Sequence, residues 1–322
     1  MSSHVSRRLF RAKIALPTAL ATVGLVAMTI PSAAQTTSQP TNPAAGGAVA
    51  ATSGALSTRV FAVGDIGLCG KKAAKRIAAV AKLLTKRAGP VLALGDLAYP
   101  KGSKTNFAQC YKPSFGKLKK RTWPVPGNHE YVTPRAADYF SYFGKRVGTP
   151  AKPYYSRNFG SWHFVMLNSN CVNLAGGCAP HSAEYRWLQA DLAAHPNACL
   201  AAAWHHPMFS STPKKAETNA APLFSLLQNA GADLLLVGHQ HNYERFLRMG
   251  INGQPASSGI RQYSVGTGGA EFYPFATAVA GSRKRVTKVS GALQLDLRRT
   301  GYSWKFLATT GKLVRDRGSD HC

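Results

Sequence analysis

Acidic side chains are scarce in this sequence. Its 322 residues hold 13 Asp and Glu against 40 Lys and Arg, a formal net charge of +27. Such an excess attracts anions and favours solubility without specifying a fold. No recognised DNA-reading motif and no aromatic-basic platform for single strands accompanies it, so no dedicated nucleic-acid site is expected. Cysteine never occurs in CxxC spacing, which argues against a zinc-thiolate site. No internal repeat is visible.

A strongly apolar membrane span is missing too. The stretch from Ile14 to Ile30 is broken by Pro17 and diluted by Thr and Ala, so it reads as the core of a cleaved export signal rather than an anchor. Ser6-Arg7-Arg8-Leu9-Phe10-Arg11 forms the basic start of that signal, and small residues precede a cut after Ala34. The paired arginines resemble a twin-arginine signal, which sends folded proteins across the bacterial membrane. Three segments are therefore expected: an export signal over 1–34, an uncharged flexible tether over 35–57, and one domain over 58–322. Membrane contact is expected only through an uncleaved signal, and the oligomeric state is left open.

Six cysteines follow the expected cut, an even number that suggests disulfides in an exported protein. They could pair in about 15 ways. Cys171 and Cys178 bracket a glycine-containing loop and form the favoured pair. Cys69 with Cys110, and Cys199 with Cys322, follow only as the remainder.

From Arg59 onward the pattern is that of a folded domain. Val60 to Val63 reads as a buried strand ending at Gly64-Asp65. A helix is expected from about Lys71 to Arg87, with Ala73, Ile77, Val80 and Leu84 on one face and lysines on the other. Val91 to Leu94 is the next strand, which completes a βαβ unit and points to an α/β sheet. Two strands around Phe159-Gly160-Ser161, a helix over Ala183–Ala194, a strand over Cys199–Trp204, a helix over Ala221–Ala230 and a strand over Leu234–Val237 follow. Beyond Gly259 the chain favours strands: Gln262–Val265, Ala292–Leu297 and Tyr302–Leu307.

Polar groups of one chemical kind appear where the strands stop. Gly64-Asp65 and Gly95-Asp96 offer carboxylates, and Gly127-Asn128-His129-Glu130 offers an amide, an imidazole and a carboxylate. Trp204-His205-His206-Pro207 and Gly238-His239-Gln240-His241 add imidazoles. Each cassette alone is an ordinary turn or a hydrogen-bonded core histidine. Together they predict a metal site beyond the carboxyl ends of strands, with the glycines allowing the sharp turn that aims the next side chain inward. Carboxylate, amide and imidazole without thiolate suit zinc, iron or manganese. Seven candidates are too many for one ion, but fit two metals sharing a bridging carboxylate, the arrangement of phosphate-ester hydrolysis.

The order GDIG, GDLAY, GNHE, WHHP, GHQHNYER resembles the calcineurin-like metallophosphoesterases, and the Tyr of GDLAY resembles their purple acid phosphatase branch. The resemblance implies a four-layer α/β/β/α sandwich with two mixed β-sheets. It places Asp65, Tyr99 and His241 on the first metal, Asp96 as the bridge, and Asn128, His205 and His239 on the second. His129 would act on the substrate or leaving group, and His206 would face the substrate or support a ligand. Glu244 and Arg245 would be supports behind the ligands. A Tyr ligand implies Fe(III) at the first position, with Fe(II), Zn(II) or Mn(II) at the second, and a metal-held hydroxide as nucleophile. The implied substrate is a small phosphomonoester. Hydrolysis of diesters or nucleic acid is the alternative, and a catalytically dead polyanion-binding protein a third.

Two departures from the plant members of that branch stand out. Their amino-terminal β domain is not expected in the 322 residues, which leave no room for it. Where they place a His pair after the HxP motif, it has Ser211-Thr212-Pro213-Lys214-Lys215, whose lysines are either phosphate-binding replacements or a solvated loop.

Overall fold

A computed structural model describes residues 57–196, 199–213, 216, 218–310 and 316–322. The expectations for 1–34, for 35–56 and for Lys214 and Lys215 lie outside these residues.

The chain begins with β1 (Thr58–Val63), α1 (Lys71–Thr85) and β2 (Val91–Leu94). Short helical segments follow, including α2 (Lys104–Asn106) and α3 (Lys112–Phe115), then β3 (Thr122–Val125) and α4 (Ala137–Phe143). The middle of the chain supplies β4 (Tyr155–Phe159), β5 (Trp162–Met166), α5 (Ala183–Ala194), β6 (Cys199–Ala203), α6 (Ala221–Asn229) and β7 (Leu234–Val237). Six strands close it: β8 (Tyr243–Met249), β9 (Ile260–Val265), β10 (Ser282–Val286), β11 (Gly291–Arg298), β12 (Gly301–Ala308) and β13 (Arg317–His321).

The strands form two mixed sheets, one ordered β13-β12-β11-β1-β2-β3 and the other β10-β8-β9-β7-β6-β5-β4. β1, β2 and β3 are parallel to one another, as are β5, β6, β7 and β9, while the remaining pairings are antiparallel.

The period-2 alternation of strands sorts these apolar runs into three cores. Val60, Ala62, Leu92, Leu94, Ala201, Ala203, Leu234 and Leu236 point between the sheets, where they meet Trp162, Phe164, Leu293 and Leu295. Their neighbours Phe61, Val63, Val91 and Ala93 point outward onto Ala73, Ile77, Val80 and Leu84 of α1. On the other side, Leu200, Ala202, Leu235 and Val237 meet Leu188 of α5 and Leu223, Phe224 and Leu227 of α6. Three cores between four layers are the expected α/β/β/α sandwich. Runs apolar at every position are what strands covered on both faces require.

The expected βαβ unit is present, with Phe61, Ala62 and Val63 in parallel register with Val91, Leu92 and Ala93. All three cysteine pairs form: Cys69–Cys110, Cys171–Cys178 and Cys199–Cys322. The last joins β6 to the end of β13, and so links one sheet to the other. Replacing Cys199 and Cys322 together by Ser should cost about 3–5 kcal/mol of stability, the entropy of a long closed loop. Denaturant titration under oxidising conditions measures it.

Candidate metal centre

Every parallel strand that ends near this edge delivers a polar side chain there. Asp65 follows β1, Asp96 and Tyr99 follow β2, and Asn128 and His129 follow β3. From the second sheet, His205 and His206 follow β6, and His239 and His241 follow β7. The backbone is strained where it delivers them: Asp65, Asp96 and His239 have φ of 58°, 52° and 67°. Left-handed backbone outside glycine clusters at functional sites. The expectation that glycine supplies each turn is therefore only partly met. Gly95 is itself left-handed, but at Gly64 and Gly238 the following Asp and His make the turn. Gly127 is needed for space, since a Cβ there would collide with the Asp96 carboxylate.

Two donor sets meet at one atom. In the first, the Tyr99 hydroxyl stands 3.1 Å from Asp65 Oδ1, 3.1 Å from Asp96 Oδ2 and 3.0 Å from His241 Nε2, and His241 Nε2 lies 3.4 Å from Asp65 Oδ1. In the second, His205 Nε2 is 3.2 Å from Asn128 Oδ1, 3.3 Å from His239 Nδ1 and 3.3 Å from the same Asp96 Oδ2, and His239 Nδ1 is 3.0 Å from Asn128 Oδ1. Asp96 Oδ1 is held aside by the backbone N–H of His129 at 2.9 Å.

Tautomers follow from the opposite ring nitrogens. His241 Nδ1–H donates to the Glu271 carbonyl at 2.6 Å, and His205 Nδ1–H donates to the Leu94 carbonyl at 2.7 Å. Anchored so, a neutral His241 presents its Nε2 lone pair to the centre, and His205 does so once its Nε2 proton is displaced. The first set then offers one phenolic proton to three acceptors, so proton sharing alone cannot satisfy it.

A cation fits both sets. Donors ~2.0–2.1 Å from one ion stand roughly 2.9 Å apart along an octahedral edge and about 3.4 Å apart along a tetrahedral one. The separations here run from 3.0 to 3.4 Å. Another group that could be mistaken for a metal site fails the same test. His163 Nε2 meets Asp191 Oδ2 at 2.7 Å, but His195 Nδ1 is 3.9 Å from that oxygen. The two rings stack at 3.8 Å with an interplanar angle of 15°, which points their lone pairs in parallel rather than at one centre. That group ties α5 to the β4–β5 hairpin.

Burial opposes the charge on Asp96, yet His205 and His129 beside it hold its carboxyl below the ordinary carboxylate range. Burial likewise opposes a charged His205, but Asp96 and Asp65 raise it to about 9. Burial, and then the two carboxylates, push the Tyr99 phenol well above its usual value.

Glu130 is the centre's unassigned carboxylate. Fully buried, it accepts the N–H groups of Asp96 and Gly127 on Oε2 at 2.9 and 2.8 Å, and those of Leu97 and Ala98 on Oε1 at 2.9 and 3.2 Å. Burial and the nearby Asp96 raise it to about 7, against the pull of these donors. It shapes the loops that carry Asp96, Tyr99 and Asn128, and does not join the donor sets. Asn168, Ser169 and Asn170, after β5, also support the centre. Ser169 Oγ accepts the N–H groups of His205 and His206 and bonds His206 Nδ1 at 2.8 Å. They escaped the sequence reading although they share its signal, a polar run directly after an apolar strand.

His129 sits at the mouth, its Nδ1–H on the Pro100 carbonyl at 2.7 Å and its Nε2 3.8 Å from Asp96 Oδ2. His206 lines a cavity of about 190 Å³ together with Asn128 and His239. A larger cavity of about 450 Å³ lies beyond the Cys171–Cys178 loop and touches none of the donors.

Glu244 and Arg245 are not brought to the centre. Glu244 binds the Ser211 N–H and the Ser282 hydroxyl, and Arg245 pairs with Asp316 at 2.8 Å. Both lie along β8, which leads away from the histidines. Glu244 therefore steadies the 211 loop, and Arg245 ties β8 to the other sheet through Asp316 and the Trp304 ring.

The model of the calcineurin-like phosphoesterases matches residues 58–243. Purple acid phosphatase 15 of Arabidopsis thaliana is 29% identical over 229 residues, covering 59% of this chain and 41% of the relative. The chain thus spans about two fifths of that relative's length. Among solved structures, the purple acid phosphatase PPD1 from yellow lupin (Lupinus luteus) seeds has a TM-score of 0.70 at 17% identity, covering 82% of this chain and 53% of the lupin chain. GAP50, the anchor in the inner membrane complex of Plasmodium, has a TM-score of 0.61 at 14% identity, covering 83% and 89%. At such identities the two structures attest to the fold alone.

Two outcomes are expected. Glu130→Gln turns an amide NH₂ toward two backbone N–H groups and should cost about 2–4 kcal/mol in chemical denaturation, since each stranded donor costs ~1–3 kcal/mol. In the metal-free protein His205 keeps its proton below about pH 9, and a cation must displace it. Apparent Zn²⁺ affinity should therefore rise with pH until about 9, by roughly tenfold per unit for one displaced proton, as chelator competition would record.

Proposed function

Because the chain belongs to the calcineurin-like phosphoesterases and is purple acid phosphatase-like among them, we propose that it is an exported phosphatase hydrolysing small phosphomonoesters at two metal ions. The observation that carries this reading is the meeting of two donor sets at Asp96 Oδ2. Asp65, Tyr99 and His241 would hold the first ion with Asp96, and Asn128, His205 and His239 the second. The phenol favours Fe(III) at the first position, and Fe(II), Zn(II) or Mn(II) would serve at the second. Such a pair activates water at neutral pH and neutralises phosphoryl oxygens.

The chain's own groups do the remaining work. With Nδ1–H fixed on Pro100, His129 presents Nε2 as the atom that holds or passes a proton at the leaving oxygen. Ser169 orients His206 in the wall of the cavity where a phosphoryl group would lie. Export is supported by the arginine-paired start of the sequence and by three disulfides. On this reading residues 1–34 are removed and 35–57 tether the domain.

A second reading, a phosphodiesterase or nuclease on the same centre, is favoured by the charge of +27 alone. The ratio of diester to monoester turnover and its salt dependence decide between them.

Purified protein should carry two transition-metal ions by elemental analysis and release phosphate from simple monoesters. Protein lacking both properties would overturn the proposal. Tyr99→Phe should abolish visible absorbance from an Fe(III)–phenolate pair. His129→Ala should keep its metals and lose about 10²–10⁴ in kcat. Loss of the metals as well would make it a structural residue.

A further inference from the structure

Between Ile66 and His129 the sequence holds 14 Lys and Arg but a single acid, Asp96, which is buried in the metal centre. This stretch builds an outer layer on the six-stranded sheet, where α1 packs against α3 and the turn leading to Arg121. Cys69–Cys110 fastens the start of α1 to the helical turn between α2 and α3.

The arginines of the layer turn inward. Arg76, Arg87 and Arg121 donate to the carbonyls of Gly269, Leu83 and Leu84. The lysines do not: ten of the eleven are exposed, and none pairs with an acid among the described residues. At the rim, Asp138 of α4 is engaged by the Lys104 backbone N–H at 2.8 Å.

A groove of about 260 Å³ runs between α1 and α3. Ala78, Ala81, Pro113 and Ser114 are among its lining residues, and Lys82 and Lys117 supply cations from its two walls. Of the stretch's five aromatic rings, those of Tyr99, Phe107, Tyr111 and Phe115 are buried, and Trp123, partly exposed, is covered by the Arg146 and Arg157 guanidiniums, so none lies open to stack a base. Among the described residues the exposed large apolar ones, Val132, Val172, Ile251 and Val279, all lie outside this stretch, so it presents no large exposed apolar side chain to lipid.

We propose that this face docks a linear phosphate-linked polyanion without bases, held through its backbone charges. Cations on both sides of a small-residue groove match such a chain in charge. Uncompensated lysines attract it through counterion release. The surface is separate from the donor sets and does not depend on their chemistry.

The test is binding of fluorescently labelled inorganic polyphosphate to the purified protein, with chelator present so that the metal centre does not hold the probe. Affinity should fall steeply with salt. The combined variant Lys75→Gln, Lys82→Gln, Lys117→Gln, Lys120→Gln should bind about tenfold or more weakly, with the salt slope reduced by about 0.7 per lost contact. A control that removes the same charge elsewhere, Arg283→Gln, Arg298→Gln, Arg299→Gln, Lys305→Gln, should bind like the parent. Equal weakening by both variants would reduce the effect to net charge and overturn the proposal. Stronger binding of duplex DNA or of phosphatidylglycerol vesicles through the same four lysines would overturn it by naming a different occupant. Monoester turnover is expected to be unchanged in the first variant, and an inactive protein would still report on the surface.

Discussion

Two carboxylates buried within 3.1 Å of one phenolic oxygen, with an imidazole lone pair at 3.0 Å, are an arrangement that one phenolic proton cannot satisfy. Taken out of water, such a set of acceptors repels itself unless positive charge stands among them. Much of the local structure is arranged to hold it in place. Glu130 cages the loop after β2 with three backbone bonds and ties it to Gly127 after β3 with a fourth. The Leu94 and Glu271 carbonyls fix the imidazoles, and Asp65 also accepts the His239 N–H at 2.9 Å. The anchors cross between the sheets, because His205 belongs to one and Leu94 to the other. A cation there would therefore also join the two sheets.

The lysine-rich outer layer poses the opposite electrostatic problem. Within the centre, negative groups are concentrated and desolvated. On the surface of α1 and α3, positive groups are concentrated and left in water, where repulsion is screened and mild. The same scarcity of acids serves both. The few carboxylates available are placed inside, at Asp65, Asp96 and Glu130, and few remain to neutralise the outside.

The sequence made the centre legible because its donors follow apolar runs that are buried on both faces. Val60–Val63, Val91–Leu94, Cys199–Ala203 and Leu234–Val237 are unmistakable strands, and the polar residue after each is conspicuous. β3, β10 and β13 were not legible. They are edge strands, where Pro124 is tolerated and Arg, Lys and Ser face water. β8 was hidden for a related reason, since Glu244, Arg245 and Arg248 interrupt its apolar residues. Asn168 to Asn170 were overlooked because they carry amides and a hydroxyl, whose work is to orient other groups. Glu244 and Arg245 follow His241 closely in sequence, but along β8 their partners are Ser211, Ser282 and Asp316.

The order of strands in the first sheet bears on how the domain comes together. β1, β2 and β3 come from its first 70 or so residues, and β11, β12 and β13 from its last stretch, so the strand pair β1–β11 joins residues as distant as Arg59 and Asp296. The seven strands between them form the other sheet and can pair with less chain to close. Contacts of such long range form late and slowly. A nascent chain thus holds four of the seven donors on strands whose sheet is still missing its far side. Ion capture is expected to coincide with the last docking event, and a cation bound with full affinity would mark a chain that has finished folding.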